Sequence, residues 1–236
     1  MKLYYDFQDL GRGVVSSDDV VRLSNSMGRI WRRILAEWLP EDKNATIYEA
    51  GCGPGAFLIF LKSLGYKNIS GSDFSENQVK LAIANGLNVK QSDSIQDLES
   101  YPDRSFHCIV AIDFIEHLSK ESAIKFLQQS FRVLKQNGRL IIRMPNGDSP
   151  FVGRNLFNDI THQWAYTTVA ISALLRISGF SKVIFRDDSS ASIECCRFIK
   201  LPAMYLAQTL LRCLIRAATR EQIKYLSPSI YLFADK

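Results

Sequence analysis

The run Thr46-Ile47-Tyr48-Glu49-Ala50-Gly51-Cys52-Gly53-Pro54-Gly55 constrains the fold of this chain more than any other stretch. Ile47 and Tyr48 favour a strand, the glycines at alternate positions cannot continue it, and the apolar run from Ala56 to Leu64 favours a helix. Strand, glycine turn and helix in that order bring backbone close to a small ligand, because no Cβ stands in the way. The first N–H groups of the helix have no partners within it and face the same place.

The glycines alone leave the ligand open. Gly51-Cys52-Gly53-Pro54-Gly55-Ala56 satisfies the dinucleotide pattern G-x-G-x-x-G/A, and Asp73 lies at the spacing of a ribose-binding acid. A nicotinamide-dependent oxidoreductase fits both features. Glu49, just before the turn, would repel a pyrophosphate and suits a ligand with an amino group and a positive charge. S-adenosylmethionine carries both.

Composition sets the frame. At 236 residues, 47% hydrophobic and 22% charged, the chain has room for one α/β domain with a sizeable core. Its net charge of +5 contains no long basic run, which argues against nucleic acid and is compatible with an anionic substrate or membrane surface. The opening Met-Lys-Leu-Tyr-Tyr-Asp has no apolar signal core, and no segment reaches transmembrane length. The five cysteines lack metal-ligand spacing, so no metal is expected, and they read as reduced thiols of a cytoplasmic protein. Cys195-Cys196 reads as two small buried residues.

Ser16 to Asp19 is a helix start, and a helix is expected from Val20 to Leu39, ended by Pro40, with Trp31, Ile34, Leu35 and Trp38 on one face. Residues 1–40 thus form an N-terminal helical segment, either a cap packed on the domain or a lid over the ligand. Residues 41–236 form the domain itself, with a helical insertion at about 194–221. Strands are expected at Asn68–Asp73, Leu87–Gln91, Phe106–Ile112, Arg139–Met144 and Lys182–Arg186, with a final antiparallel edge strand at Ile230–Ala234. Helices are expected at Ser75–Asn85, Lys120–Lys135 (stopped by Asn137-Gly138) and Thr167–Ser178. Such alternation implies a parallel sheet with helices on both faces, and ligands bind outside the carboxyl ends of its strands. Acids collect there: Asp73, Asp93 followed by Ser94, Asp113 and Glu116, and Asp148. In the insertion, Arg212, Arg216 and Arg220 share one helical face opposite Leu210, Leu211, Leu214 and Ile215. A helix capping the core is the favoured reading. Peripheral membrane contact through 197–220, at the inner face of the membrane, is the alternative.

With these residues placed, the chain resembles the class I S-adenosylmethionine-dependent methyltransferases. The matching pieces are Glu49–Gly55, Gly71–Ser75, Ser92-Asp93, Ile112–Leu118 and Val133–Leu140. The resemblance implies a Rossmann-like, seven-stranded, mostly parallel sheet with helices on both faces and the last strand antiparallel. Asp159-Ile160-Thr161-His162, Trp164–Thr167, Leu174-Leu175 and Ser178–Phe180 further resemble a bacterial subgroup associated with lipopolysaccharide, O-antigen and capsule biosynthesis. Gln163 stands where that pattern commonly has Glu, which bears on how the neighbouring histidine is held.

Carried onto matching positions, the resemblance implies that Glu49 faces the methionine arm and that Gly51, Gly53 and Gly55 admit the cofactor to the backbone. Asp73 would take both ribose hydroxyls, Phe74 would cover the adenine, and Asp93 with Ser94 would meet its amine. Asp113 would lie near the sulfonium. Methyl transfer needs acceptor, methyl and sulfur in line, and a hydroxyl acceptor must also lose a proton. His162 is the first choice of base and His117 the second, while His107, opening a buried strand, reads as structural. Arg154 is a candidate for an acidic substrate group. The expected acceptor is a sugar or glycan precursor. A quinone-like small molecule comes second, and a non-catalytic cofactor-binding module is the reading of another class.

Overall fold

In the computed structural model, which describes residues 14–188, 197–220 and 222–236, one seven-stranded sheet organises the chain. The strands are β1 (Thr46–Ala50), β2 (Asn68–Asp73), β3 (Val89–Gln91), β4 (Phe106–Ile112), β5 (Leu134–Pro145), β6 (Lys182–Asp187) and β7 (Ser229–Asp235). Their spatial order is β3-β2-β1-β4-β5-β7-β6. β1 to β5 run parallel, and β7 is antiparallel to both its neighbours. The expected class holds, with one correction. β7 is not the edge: it lies between β5 and β6, buried along its length, as its unbroken Ile-Tyr-Leu-Phe-Ala run demands.

The helices are α1 (Ser17–Leu35), α2 (Ala56–Ser63), α3 (Glu76–Ala84), α4 (Ser94–Ser100), α5 (Lys120–Val133), α6 (Val152–Phe157), α7 (Thr168–Ile177) and α8 (Arg197–Thr219). α1 starts within the Ser16–Asp19 stretch, where Ser16 and Asp19 form a reciprocal capping box. α4 and α6 were not anticipated, being too short to show a period. α5 stops at Val133 rather than at Asn137-Gly138, which forms an irregularity within β5 where Asn137 takes φ +61°.

Two apolar layers sandwich the sheet. Ile47 packs with α1 and α2, while its neighbour Tyr48 points the other way into the layer formed by Phe126, Leu127 and Ile171. On the first face Trp31 of α1 stands edge-on to Phe57 of α2 at 5.0 Å between centroids. None of the described side chains of α8 is fully buried, against the expectation of a helix capping the core. Leu206, Leu210 and Leu214 are more than half exposed, and among the described side chains Gln208, Leu211, Arg212 and Ile215 are half-buried. Cys195-Cys196 lies outside the described residues.

Candidate active site

The carboxyl ends of β1 and β4 diverge into loops on one edge of the sheet, at the point where strand order reverses. After β1, Gly51 and Gly53 take φ of +65° and +52°, which L side chains resist. A Cβ on Gly51 would collide with the Phe114 ring, whereas one on Gly53 meets protein only at 3.9 Å, the Gln78 side chain. Gly53 therefore presents bare backbone to open space. Gly55 does something else: it caps α2, is buried, and gives up its side chain to make room for Leu87. Its expected role at the ligand is corrected to packing.

Asp73 closes this loop. Its Oδ2 accepts the Gly53 N–H and its Oδ1 the Ser75 N–H, each at 2.8 Å. Ser94 braces the loop from below, accepting the Gly51 N–H at 3.0 Å within a buried chain through Ser72 and Tyr48 to Asp97. The Ser94 hydroxyl is thus committed to scaffold, although the residue reaches the cavity wall. Asp93 is exposed and caps α4 through Oδ1, accepting from Ile95 and Gln96. Phe74 stands 65% exposed at the rim. Glu49 is buried, with Oε2 lacking a hydrogen-bond partner; burial, then the charge of Asp73, pushes its carboxyl well above the usual range.

After β4 the chain turns through Asp113, itself at φ +52°, into a short 3₁₀ turn, Ile115–His117. Asp113 pairs with Arg143 of β5, and Arg143 also binds Asp188 at 3.0 Å. Glu116 is 1% exposed, its Oε2 has no hydrogen-bond partner, and burial followed by Asp113 raises its pKa well above normal. The loop before α7 brings His162 alongside: the His117 and His162 ring centroids are 4.6 Å apart. His117 Nδ1 lies 2.8 Å from Thr161 Oγ1, and the Thr161 hydroxyl donates to buried Asp159 at 2.6 Å. His162 Nδ1 lies 2.9 Å from the Asn155 carbonyl oxygen. Gln163 is exposed, and its amide donates to the His117 carbonyl at 2.8 Å, a bond a carboxylate could not make.

One cavity of about 770 Å³ is lined by both groups, from Glu49, Gly53 and Asp73 to Glu116, His117 and His162. Leu23, Met27 and Trp31 of α1 contribute an apolar wall. His107 accepts the Thr46 N–H at 2.9 Å beneath β4, as a structural histidine should. Arg154 is exposed and outside the cavity lining, and Asp148 holds Thr168 at the start of α7 rather than facing the cavity. Sequence reasoning gave Arg143, Asn155 and Asn158 no role, yet all three line the cavity. Arg143 had a signal, a charge amid the apolar Leu140-Ile141-Ile142 and Met144; the two asparagines, in an aperiodic loop, had none.

Residues 24–184 match the family model described as a methyltransferase domain. The chain belongs to the S-adenosylmethionine-dependent methyltransferases. The methyltransferase shares 32% identity over 109 residues with ajmaline N-methyltransferase of Rauvolfia serpentina, covering 44% of this chain and 37% of that one. It shares 27% over 177 residues with demethylmenaquinone methyltransferase of Bacteroides fragilis, covering 72% and 66%. It therefore spans less than two thirds of either relative. A solved S-adenosylmethionine-dependent methyltransferase from Archaeoglobus fulgidus superposes with a TM-score of 0.68 at 22% identity, over 89% of this chain and 94% of that one. S-adenosylmethionine is the cofactor of this family.

Proposed function

We propose that this methyltransferase moves the methyl group of S-adenosylmethionine to an oxygen of a hydroxylated small molecule held against His117 and His162. The observation that carries the reading is that one cavity is lined both by the Gly53–Asp73 loop and by the histidine pair. In this reading Asp73 takes the ribose hydroxyls, and Gly51 and Gly53 lie along the methionine arm beside Glu49. Asp93 offers Oδ2 to the adenine amine, and Phe74 covers the ring. Asp113 lies beside the sulfonium, and α1 forms a lid over the cofactor. The acceptor oxygen attacks the methyl carbon as the carbon–sulfur bond breaks, and sulfur keeps the electron pair. With no other group present, His162 takes the hydroxyl proton and His117 assists, a contribution of roughly 10²–10⁴-fold.

A sugar or glycan precursor as acceptor is supported by the likeness of Asp159–Thr167 to the polysaccharide-associated subgroup and by the polar Asn155 and Asn158 in the wall. The second reading is a quinone-like ring, favoured by the menaquinone relative and by exposed Phe157, Ile160 and Trp164 in the same segment. Contact with an anionic membrane surface through the outward leucines of α8 accompanies either. Incubating cell extracts with radiolabelled cofactor and identifying the labelled product tests the proposal. An O-methyl ether whose formation falls at least roughly 10²-fold in His162→Ala is expected. A product methylated on nitrogen or carbon, or full turnover in that variant, would overturn it.

A further inference from the structure

The proposed acceptor end holds a group of ligands not needed for simple base catalysis. Glu116, His117 and His162 each bring one ligand atom to within 4.8 Å of the others. Ligands at right angles on a first-row ion with bonds of about 2.1 Å are roughly 3 Å apart, so small side-chain rotations close the set. Both rings present the nitrogen a cation requires. The Asn155 carbonyl can only accept, so His162 Nδ1 carries a proton, and in the neutral ring Nε2, 3.8 Å from Asp159 Oδ2, holds the lone pair. The Thr161 hydroxyl already donates to Asp159, so it accepts from His117 Nδ1–H, and that ring too has its lone pair on Nε2. A carbonyl behind one histidine and a Thr–Asp pair behind the other are the outer partners that metal-binding histidines use.

The independent observation is Glu116. Its side chain is almost fully buried, lines the cavity, and has an oxygen with no hydrogen-bond partner. Isolated burial of such a group is costly unless a proton or a cation meets it. Asp113 and Asp159 add negative charge nearby, and Arg143, already bound by Asp113 and Asp188, is the one cation acting on Glu116 among these groups.

We propose that Glu116, His117 and His162 form a divalent-cation site that binds the oxygen of the methyl acceptor. Two imidazoles and one carboxylate suit a first-row ion such as Mn²⁺ or Zn²⁺ better than Mg²⁺ or Ca²⁺, which prefer oxygen-only shells. The site rests on the proposed function and deepens it. With the cation bound, His162 is a ligand rather than the base. The acceptor hydroxyl loses its proton to water on coordination, and the resulting oxyanion attacks the methyl carbon as sulfur leaves with the bonding pair. An acceptor with two adjacent hydroxyls, able to chelate, is the class this favours.

The test is titration of Mn²⁺ into the chelator-treated full chain, reading the free-ion electron paramagnetic resonance signal. Parallel titration with S-adenosylmethionine reports folding and cofactor binding in the same samples. One saturable equivalent is expected, lost in His117→Ala and His162→Ala and weakened roughly 10–100-fold in Thr161→Val, with cofactor affinity kept in all three. Absence of saturable Mn²⁺ and Zn²⁺ binding by wild-type protein overturns the cation site, as does binding that survives His162→Ala. If His162-dependent O-methylation persists after that result, the proposed function stands without the metal.

Discussion

Asp73 serves two structures at once. Its oxygens accept the Gly53 and Ser75 N–H groups, so the carboxylate that is to meet the ribose also holds the loop in place. Asp73→Ala therefore loosens the glycine loop as well as removing ligand contacts. At roughly 1.5–3 kcal/mol for a hydrogen bond to a charged group, cofactor affinity should fall on the order of 10–100-fold by calorimetry. Unchanged affinity would remove Asp73 from the site. Gln163 predicts the opposite pattern. Because its amide donates to the His117 carbonyl at the surface, Gln163→Glu should cost about 1 kcal/mol or less in urea unfolding and leave turnover largely intact. A collapse of turnover with the fold preserved would return a chemical role to that position.

At the scale of elements, α1 is held by aromatic packing. Trp31 is 4% exposed, meets Phe57 and Phe60, and also walls the cavity. Trp31→Ala should cost on the order of 3–5 kcal/mol, seen as a lower urea midpoint at unchanged slope. A loss below about 1 kcal/mol would mean α1 is not anchored there. α8 predicts the reverse. Leu206 and Leu210 are exposed, so changing both to Glu should leave stability within about 0.5 kcal/mol for each, yet abolish partition onto anionic liposomes. Failure of wild-type protein to partition would end the membrane reading of this helix.

These elements also show what the sequence could disclose. β4 and α5 were legible because an unbroken apolar run and a 3.6-residue period are local signals, and Ser75 marks its helix as a cap. The position of β7 was not legible, because insertion between β5 and β6 is a pairing choice made by distant residues. α8 misled for a related reason: its pattern shows an apolar face but not which way that face points. That Asp73 and Glu49 line the cavity was legible through their place at strand ends. Gly55, Ser94 and Asp93 were only partly so, since sequence could not tell a residue that supports the loop from one that faces a ligand.

For the whole molecule, the sheet sets one carboxyl end, that of β1, beside another, that of β4, and the cavity opens where they part. Glu49 sits at the end of β1, and its buried carboxyl holds its proton well above the usual pH range. In the unliganded protein the sign is clear. The unfolded Glu49 ionises first, so stability is full below the ordinary carboxyl pKa and declines as pH rises toward the folded value. A positively charged methionine arm reverses that penalty by favouring the ionised form, so cofactor binding should expel a proton. Calorimetric titration of S-adenosylmethionine near pH 7, in two buffers of different ionisation enthalpy, measures this directly. The expected result is saturable binding with a proton released to the buffer, a release that disappears in Glu49→Gln. Binding with no buffer dependence, or tight binding of NAD in its place, would contradict the assignment of this cavity.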